Sequence, residues 1–177
     1  MNLSEFDAVF DRVQVSAFRL ETLPRYADDE DEEFAAFLAG EPLPERSTRT
    51  VPWLKRLADT TAAGARWQRV HVVRRPLTDY LRFEMVGYAA NVDAGEDVRI
   101  ADLDMHPELP DLRQDFWLFD AETPGAFAMP MHHDTAGNLV GFDVTNDPQV
   151  IQRYRRERDL ALPVSVPLHQ YAATLHA

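Results

Sequence analysis

Seven residues in the middle of the chain could line a site of mixed charge. Tyr80-Leu-Arg82-Phe-Glu84 offers a phenol, a guanidinium and a carboxylate within five positions. Arg99, Asp115, Trp117 and Asp120 follow at the borders of predicted strands. Such groups could bind a polar ligand, because ligands in open α/β sheets tend to sit at strand ends. They could equally form an internal ion-pair network joining helix to sheet, since a charge buried without its partner is costly. The network is the reading the sequence favours.

Two further groups suit a protein partner. Asp28, Asp29, Glu30, Asp31, Glu32 and Glu33 form a run of six acids. It could dock a basic protein, or it could be the solvated first turn of a helix, where acids complement the dipole. Arg153 and Arg156 stand on a late predicted helix and could pair with local acids or with a partner. Met131-His132-His133-Asp134 is the only metal-like cluster. Neighbouring strand residues point apart, so His132 and His133 are expected at a turn edge and not around an ion. No metal and no cofactor is expected.

Several chemistries lack their usual residues. The seven glycines form neither a dinucleotide fingerprint nor a phosphate loop. There is no G-x-S-x-G elbow and no H-E-x-x-H. The absence of cysteine excludes disulfides, thiolate ligands and thiol nucleophiles and fits a reducing compartment. The net charge of −12 would repel a duplex or an anionic membrane surface. No direct nucleic-acid or membrane contact is therefore expected, and a basic protein fits better. The basic side chains are seventeen arginines and the single Lys55. No apolar run reaches the length of a membrane span, and the first residues lack the pattern of a signal peptide, so the expected location is cytoplasmic.

The elements that must position these residues follow from spacing. With 177 residues, 45% hydrophobic and 27% charged, the chain is expected to form one domain over residues 1–177. Phe116-Trp-Leu-Phe119, fenced by Asp115 and Asp120, has apolar residues on both faces of a strand. That predicts an interior strand covered by helices on each side. Other predicted strands span 15–23, 67–73, 98–101, 126–131 and 139–144. Predicted helices span 3–13, with Ser4 and Asp7 as a capping box, the stretch from the acidic run to Gly40, and Pro52 to Gly64, capped by Thr50. A longer helix is predicted over 77–92, where Leu77, Leu81, Met85, Tyr88 and Val92 recur at helical spacing against a shorter strand-like alternation. The last long helix starts at Pro148, with Val150, Ile151, Tyr154 and Leu160 inward. The tail, with Leu168, Tyr171 and Leu175, is expected to pack on the body or on a second copy, which leaves a homodimer open. The fold class is α/β, a mixed central sheet with helices on both faces.

Five segments in order, Ser16-Ala-Phe-Arg-Leu-Glu21, Phe37-Leu-Ala-Gly-Glu41, Pro76-Leu-Thr-Asp-Tyr-Leu-Arg-Phe-Glu84, Ala94-Gly-Glu-Asp-Val-Arg99 and Asp115-Phe-Trp-Leu-Phe-Asp120, carry a family resemblance over nearly the whole chain. It resembles an actinobacterial family of unknown function marked by the D-F-W-L-F-D motif. Genes of that family often sit beside helix-turn-helix regulators. The resemblance implies a regulatory or accessory protein that binds such a regulator, and supplies no catalytic residues. The order of elements is also distantly similar to one half of the phospholipase D fold. Active members of that superfamily carry H-x-K-x4-D. Here Arg113 stands at the histidine position and Asp115 at the lysine position, and Asp120 alone matches. An arginine stays protonated and cannot act as the nucleophile. The alternative function is a small enzyme using Arg82, Glu84, Arg99 and Asp120.

Overall fold

The computed structural model describes residues 3–27, 31–107, 109 and 112–175. In chain order the elements are α1 (Leu3–Phe10), β1 (Ser16–Glu21), α2 (Asp31–Ala39), α3 (Pro52–Ala62), β2 (Arg66–Val73), α4 (Asp79–Asp93), β3 (Glu96–Asp102), β4 (Phe116–Phe119), β5 (Phe127–His133), β6 (Leu139–Phe142), α5 (Pro148–Val164), β7 (Val166–Pro167) and α6 (Leu168–Thr174). Seven strands form one mixed sheet in the order β6-β5-β4-β1-β2-β3-β7. β1, β2 and β3 run parallel, whereas β4 is antiparallel to both β1 and β5.

β4 is an interior strand, as its composition requires. Phe116 and Leu118 join a core with Phe18, Leu20, Val70 and Val72, which α5 covers through Ile151, Tyr154 and Ala161. Phe116 stacks on Tyr154 at 3.9 Å and 12°. Trp117 and Phe119 face the other way, against Val9 and Phe10 of α1 and Leu54 and Leu57 of α3. On that same side α4 and α6 cover β2 and β3, with Leu81, Tyr88, Leu168 and Tyr171 against Val98 and Ile100. The tail therefore packs on the body of its own chain. α2 lies outside α4, with Phe34 and Phe37 against Phe83. Helices on both faces of a mixed sheet are the predicted fold class.

Several predicted boundaries shift for identifiable reasons. α1 begins at Leu3, so Ser4 stands inside its first turn and not ahead of it. β1 ends at Glu21 because the Thr22 N–H turns to the Asp115 carboxylate at 2.9 Å. Thr50 does not cap α3: Val51 is the N-cap, and the Thr50 hydroxyl instead donates to the Glu45 carbonyl at 2.8 Å. Thr78 is the residue that caps the long helix, accepting from the Leu81 N–H at 3.1 Å. Val92 and Leu160, placed inward from spacing, are exposed at 44% and 43%. In α4 the sheet side passes from Leu81 and Tyr88 to Asn91, and Val92, about 100° further round, turns outward. The Asp134–Asn138 turn joins β5 to β6 as predicted, with Gly137 at φ 90°.

Candidate ligand pocket on the charged sheet face

Residue alternation along the central strands places ionisable groups under the helices. Phe18 and Leu20 in β1, and Val70 and Val72 in β2, point to the α5 side. Their neighbours Arg19, Glu21, Arg69 and His71 therefore point to the α3 and α4 side. Register sets Arg19 beside Arg69 and Glu21 beside His71. All four are buried, together with Glu96, Asn91 and Asp115. The result is a charged layer under a helical cover.

Its bonds form a continuous network. Arg69 Nη1 donates to both oxygens of Glu21 at 2.8 Å, and its Nε donates to Glu96 at 3.0 Å. Asn91 donates to the other Glu96 oxygen at 2.6 Å. Arg19 donates through Nε to Glu21 at 3.3 Å and through Nη2 to Asp115 at 3.1 Å. The Tyr26 hydroxyl donates to Asp115 at 2.5 Å. Tyr88 has its hydroxyl 2.7 Å from Glu21 Oε2 and 2.8 Å from His71 Nδ1, one proton between two neighbours. His71 Nε2 lies 3.0 Å from the Leu23 carbonyl. Arg19 Nη1 is buried and has no hydrogen-bond partner among the described residues.

Charge states follow from this packing. Burial resists ionisation of Glu21, but the Arg69 and Arg19 guanidiniums outweigh it and hold the carboxyl well below its ordinary range. Burial also resists the charge on both arginines. Asp115 and Glu21 offset it for Arg19, and Glu21 and Glu96 for Arg69, so both pKa values are raised. Burial and neighbouring carboxylates push the Tyr26 and Tyr88 phenols up, which keeps them as neutral donors. Burial lowers His71 despite the opposing pull of Glu21. The same balance, with Asp115 pulling upward, lowers His133.

Above this layer lies a cavity of about 650 Å³ between the sheet face and α1, α3 and α4. That size suits a small organic ligand. Arg19, Glu21 and Arg69 reach it from the sheet, and Phe6, Trp53, Phe83 and Tyr88 supply wall from the helices. Glu33, Glu84 and Asp93 also line it. Gly137 lines one side, where a Cβ would meet the Arg25 carbonyl at 2.6 Å, so a side chain at 137 is incompatible with this wall. His133 lines it as well, its ring 5.3 Å from that of Tyr26. A smaller cavity, about 520 Å³, opens at the C-terminal ends of β1 and β2 beside Arg74, Arg75 and Arg113. Arg75 is already committed there to Asp102 at 2.6 Å.

The seven residues singled out from the sequence do not converge. Glu84 lines the cavity, and the Tyr80 hydroxyl donates to it at 3.3 Å. Arg82 is exposed on the outer side of α4. Arg99 points to the opposite sheet face, where it donates to Ser165 Oγ at 2.9 Å and to the Ser165 carbonyl at 2.7 Å. Trp117 lies beneath the two guanidiniums, 5.5 Å from Arg19 and 5.9 Å from Arg69. Asp115 braces Arg19 from behind the cavity. Asp120 is at the far end of β4, with φ 48°, and accepts the backbone N–H groups of Gln14, Val15 and Ser16 at 3.1, 2.7 and 2.9 Å. Asp115 and Trp117 therefore adjoin Arg19, whereas Arg99 lies on the other sheet face and Asp120 at the opposite end of β4.

The proposed docking groups divide in a similar way. Asp28, Asp29 and Glu30 lie outside the described residues. Asp31 begins α2, Glu32 is exposed, and Glu33 pairs with Arg46 at 3.3 Å. Arg153 lies over the Tyr154 ring at 4.5 Å and pairs with Glu157 at 3.5 Å, while Arg156 is exposed. His132 turns outward to Asp143 at 2.7 Å, away from His133.

Sequence reasoning missed Arg19, Glu21, Arg69, Tyr88 and His133. The signal was the period of two in Phe18-Arg-Leu-Glu21 and Arg69-Val-His-Val72. On a strand covered from both sides, the polar alternates are buried too.

Among the described residues, no helix is long and apolar enough to cross a membrane, and no group of three or more His, Asp or Glu side chains is placed to hold a metal ion. No curated protein matches the chain. A family model described as a domain of unknown function, DUF6879, matches residues 4–173, and the chain belongs to that family.

Proposed function

We propose that this protein is a non-catalytic regulatory or accessory module of the cytoplasm that holds a small organic molecule over its charged sheet face. One observation carries the reading. The cavity floor is a buried ionic network whose members are locked to one another, while Arg19 Nη1 is left without an acceptor among the described residues. A ligand site is largely pre-formed and carries a few placed polar groups. The Arg69–Glu21–Arg19 arrangement supplies both. A general base would need an available lone pair, and Glu21 has its four acceptor sites engaged by Arg69, Arg19 and Tyr88.

The partner in this reading is a basic protein, in the first instance a helix-turn-helix regulator encoded alongside it in an actinobacterial genome. The net charge of −12 supports it, as does Glu32, an exposed member of the acidic run. A phospholipase D-like ancestry fits as scaffold without chemistry: Asp120, the one matching motif position, is occupied with backbone amides.

Ligand-observed NMR with a mixture of neutral, cationic and anionic aromatic fragments tests the cavity. Saturation transfer is expected for some of them, and Trp53→Ala should weaken it. A mixture in which no fragment binds at about 1 mM, the weak end of measurable affinity, contradicts the reading. Co-purification with the neighbouring regulator, weakened by salt, tests the partner.

A further inference from the structure

We infer that the cavity selects a flat aromatic molecule that presents an uncharged acceptor, such as an amide carbonyl or a ring nitrogen, to Arg19, and that it rejects anions there. The inference rests on the ligand-binding reading above and adds the chemical class. Arg19 is 5% exposed, lines the cavity, and has two of its three nitrogens bonded to Glu21 and Asp115. The third has no partner among the described residues. A buried guanidinium N–H without an acceptor is costly, so an incoming acceptor makes a bond that the empty protein lacks.

An anion would be the usual choice for an arginine, but the charge count argues otherwise. Two guanidiniums, Arg19 and Arg69, already face three carboxylates, Glu21, Glu96 and Asp115. Even a proton on His71 brings this layer only to neutrality. A fourth carboxylate would be set beside Glu21 and Asp115, where low dielectric strengthens repulsion. The mouth adds to this. Arg46 is paired with Glu33, while Glu84 and Asp93 line the same opening. The apolar wall of Trp53, Phe83 and Tyr88 fits a ring.

Indole-3-acetamide and indole-3-acetate are probes of matched shape that differ in this property. Titration calorimetry near neutral pH on the full chain is expected to show the amide binding at least ten-fold more tightly. Arg19→Lys keeps the charge but removes the forked donor, and should reduce that preference. Trp53→Ala should weaken both probes alike. Acetate binding as tightly as the amide overturns the ligand class while leaving the cavity as a binding site. The class is likewise overturned, and the site retained, if neither probe binds but other fragments in the mixture do. If nothing in the mixture binds, the binding reading falls and the class falls with it.

Discussion

Asp115 and Asp120 grip the two ends of β1. Asp115 accepts the Thr22 N–H at 2.9 Å and the Thr22 hydroxyl at 2.7 Å, just past the last residue of the strand. Asp120 accepts three successive N–H groups, from Gln14 to Ser16, as the strand begins. The D-F-W-L-F-D segment is thus a strand with a carboxylate clamp at each end, fitted to the length of its neighbour. Only one clamp adjoins the pocket. Asp115 also holds Arg19, whereas Asp120 serves the backbone alone.

The Asp120 clamp can be weighed by substitution. Asp120→Ala removes the acceptor for three backbone donors and leaves a β-carbon residue at φ 48°. Hydrogen bonds to a charged group contribute about 1.5–3 kcal/mol each, so a loss of about 3 kcal/mol or more in urea unfolding is expected. Asp120→Asn tolerates the left-handed backbone and keeps one acceptor oxygen, so it should cost less. Equal losses for the two variants would contradict the clamp.

Glu21 is the centre of the charged layer, and its removal should show in both stability and acid response. Glu21→Gln strips a carboxylate from both Arg19 and Arg69, and breaking a buried pair costs roughly 3–5 kcal/mol. The remaining partners Asp115 and Glu96 place the expected loss near 3 kcal/mol, the lower end of that range. Its folded pKa is depressed, so its contribution is complete above the ordinary carboxyl value of 4.5 and declines as pH falls below it. Chemical denaturation from about pH 6 to about pH 3, which spans the carboxyl range, should therefore be flatter for Glu21→Gln than for the parent. A parallel decline in both would remove Glu21 as the cause.

His71 governs a higher pH window. Burial lowers its folded pKa, so the unfolded chain binds the extra proton first as pH falls through 6.5. Stability should therefore be full above about pH 6.5 and decrease below it, well before the carboxyl region. Tyr88→Phe deletes the hydroxyl between His71 and Glu21 and is expected to cost about 1–3 kcal/mol at neutral pH. Histidine side-chain NMR across roughly pH 5–8 reads the titration directly. A His71 pKa at or above 6.5 would be the contrary result.

The scaffold was legible because its signals are local and redundant. Phe116–Phe119 declared a strand covered on both faces, Pro52 and Gly64 bracketed a helix, and Asp134–Asn138 a hairpin turn. The pocket was not legible because it depends on register. Arg19 and Arg69 become neighbours only when β1 pairs with β2 in parallel, and Glu96 joins only through β3. Glu84, on α4, was recognised as a candidate because its neighbours Tyr80 and Arg82 stand close in sequence. Arg82 nevertheless faces outward and Arg99 faces α5, since spacing alone does not say which side of an element meets the cavity.

The position of β1 has a consequence for assembly during synthesis. It lies between β2, paired from Arg66 onward, and β4, which reaches it only at Phe116–Phe119. One edge of the earliest strand, with Arg19 and Glu21 on it, therefore stays open in a nascent chain until β4, about two-thirds of the way along, has been made. The charges that later become the pocket floor give that waiting segment water-loving side chains on one face. Charged side chains on an open strand edge discourage pairing with other chains, so the residues that line the finished cavity also suit an unfinished strand.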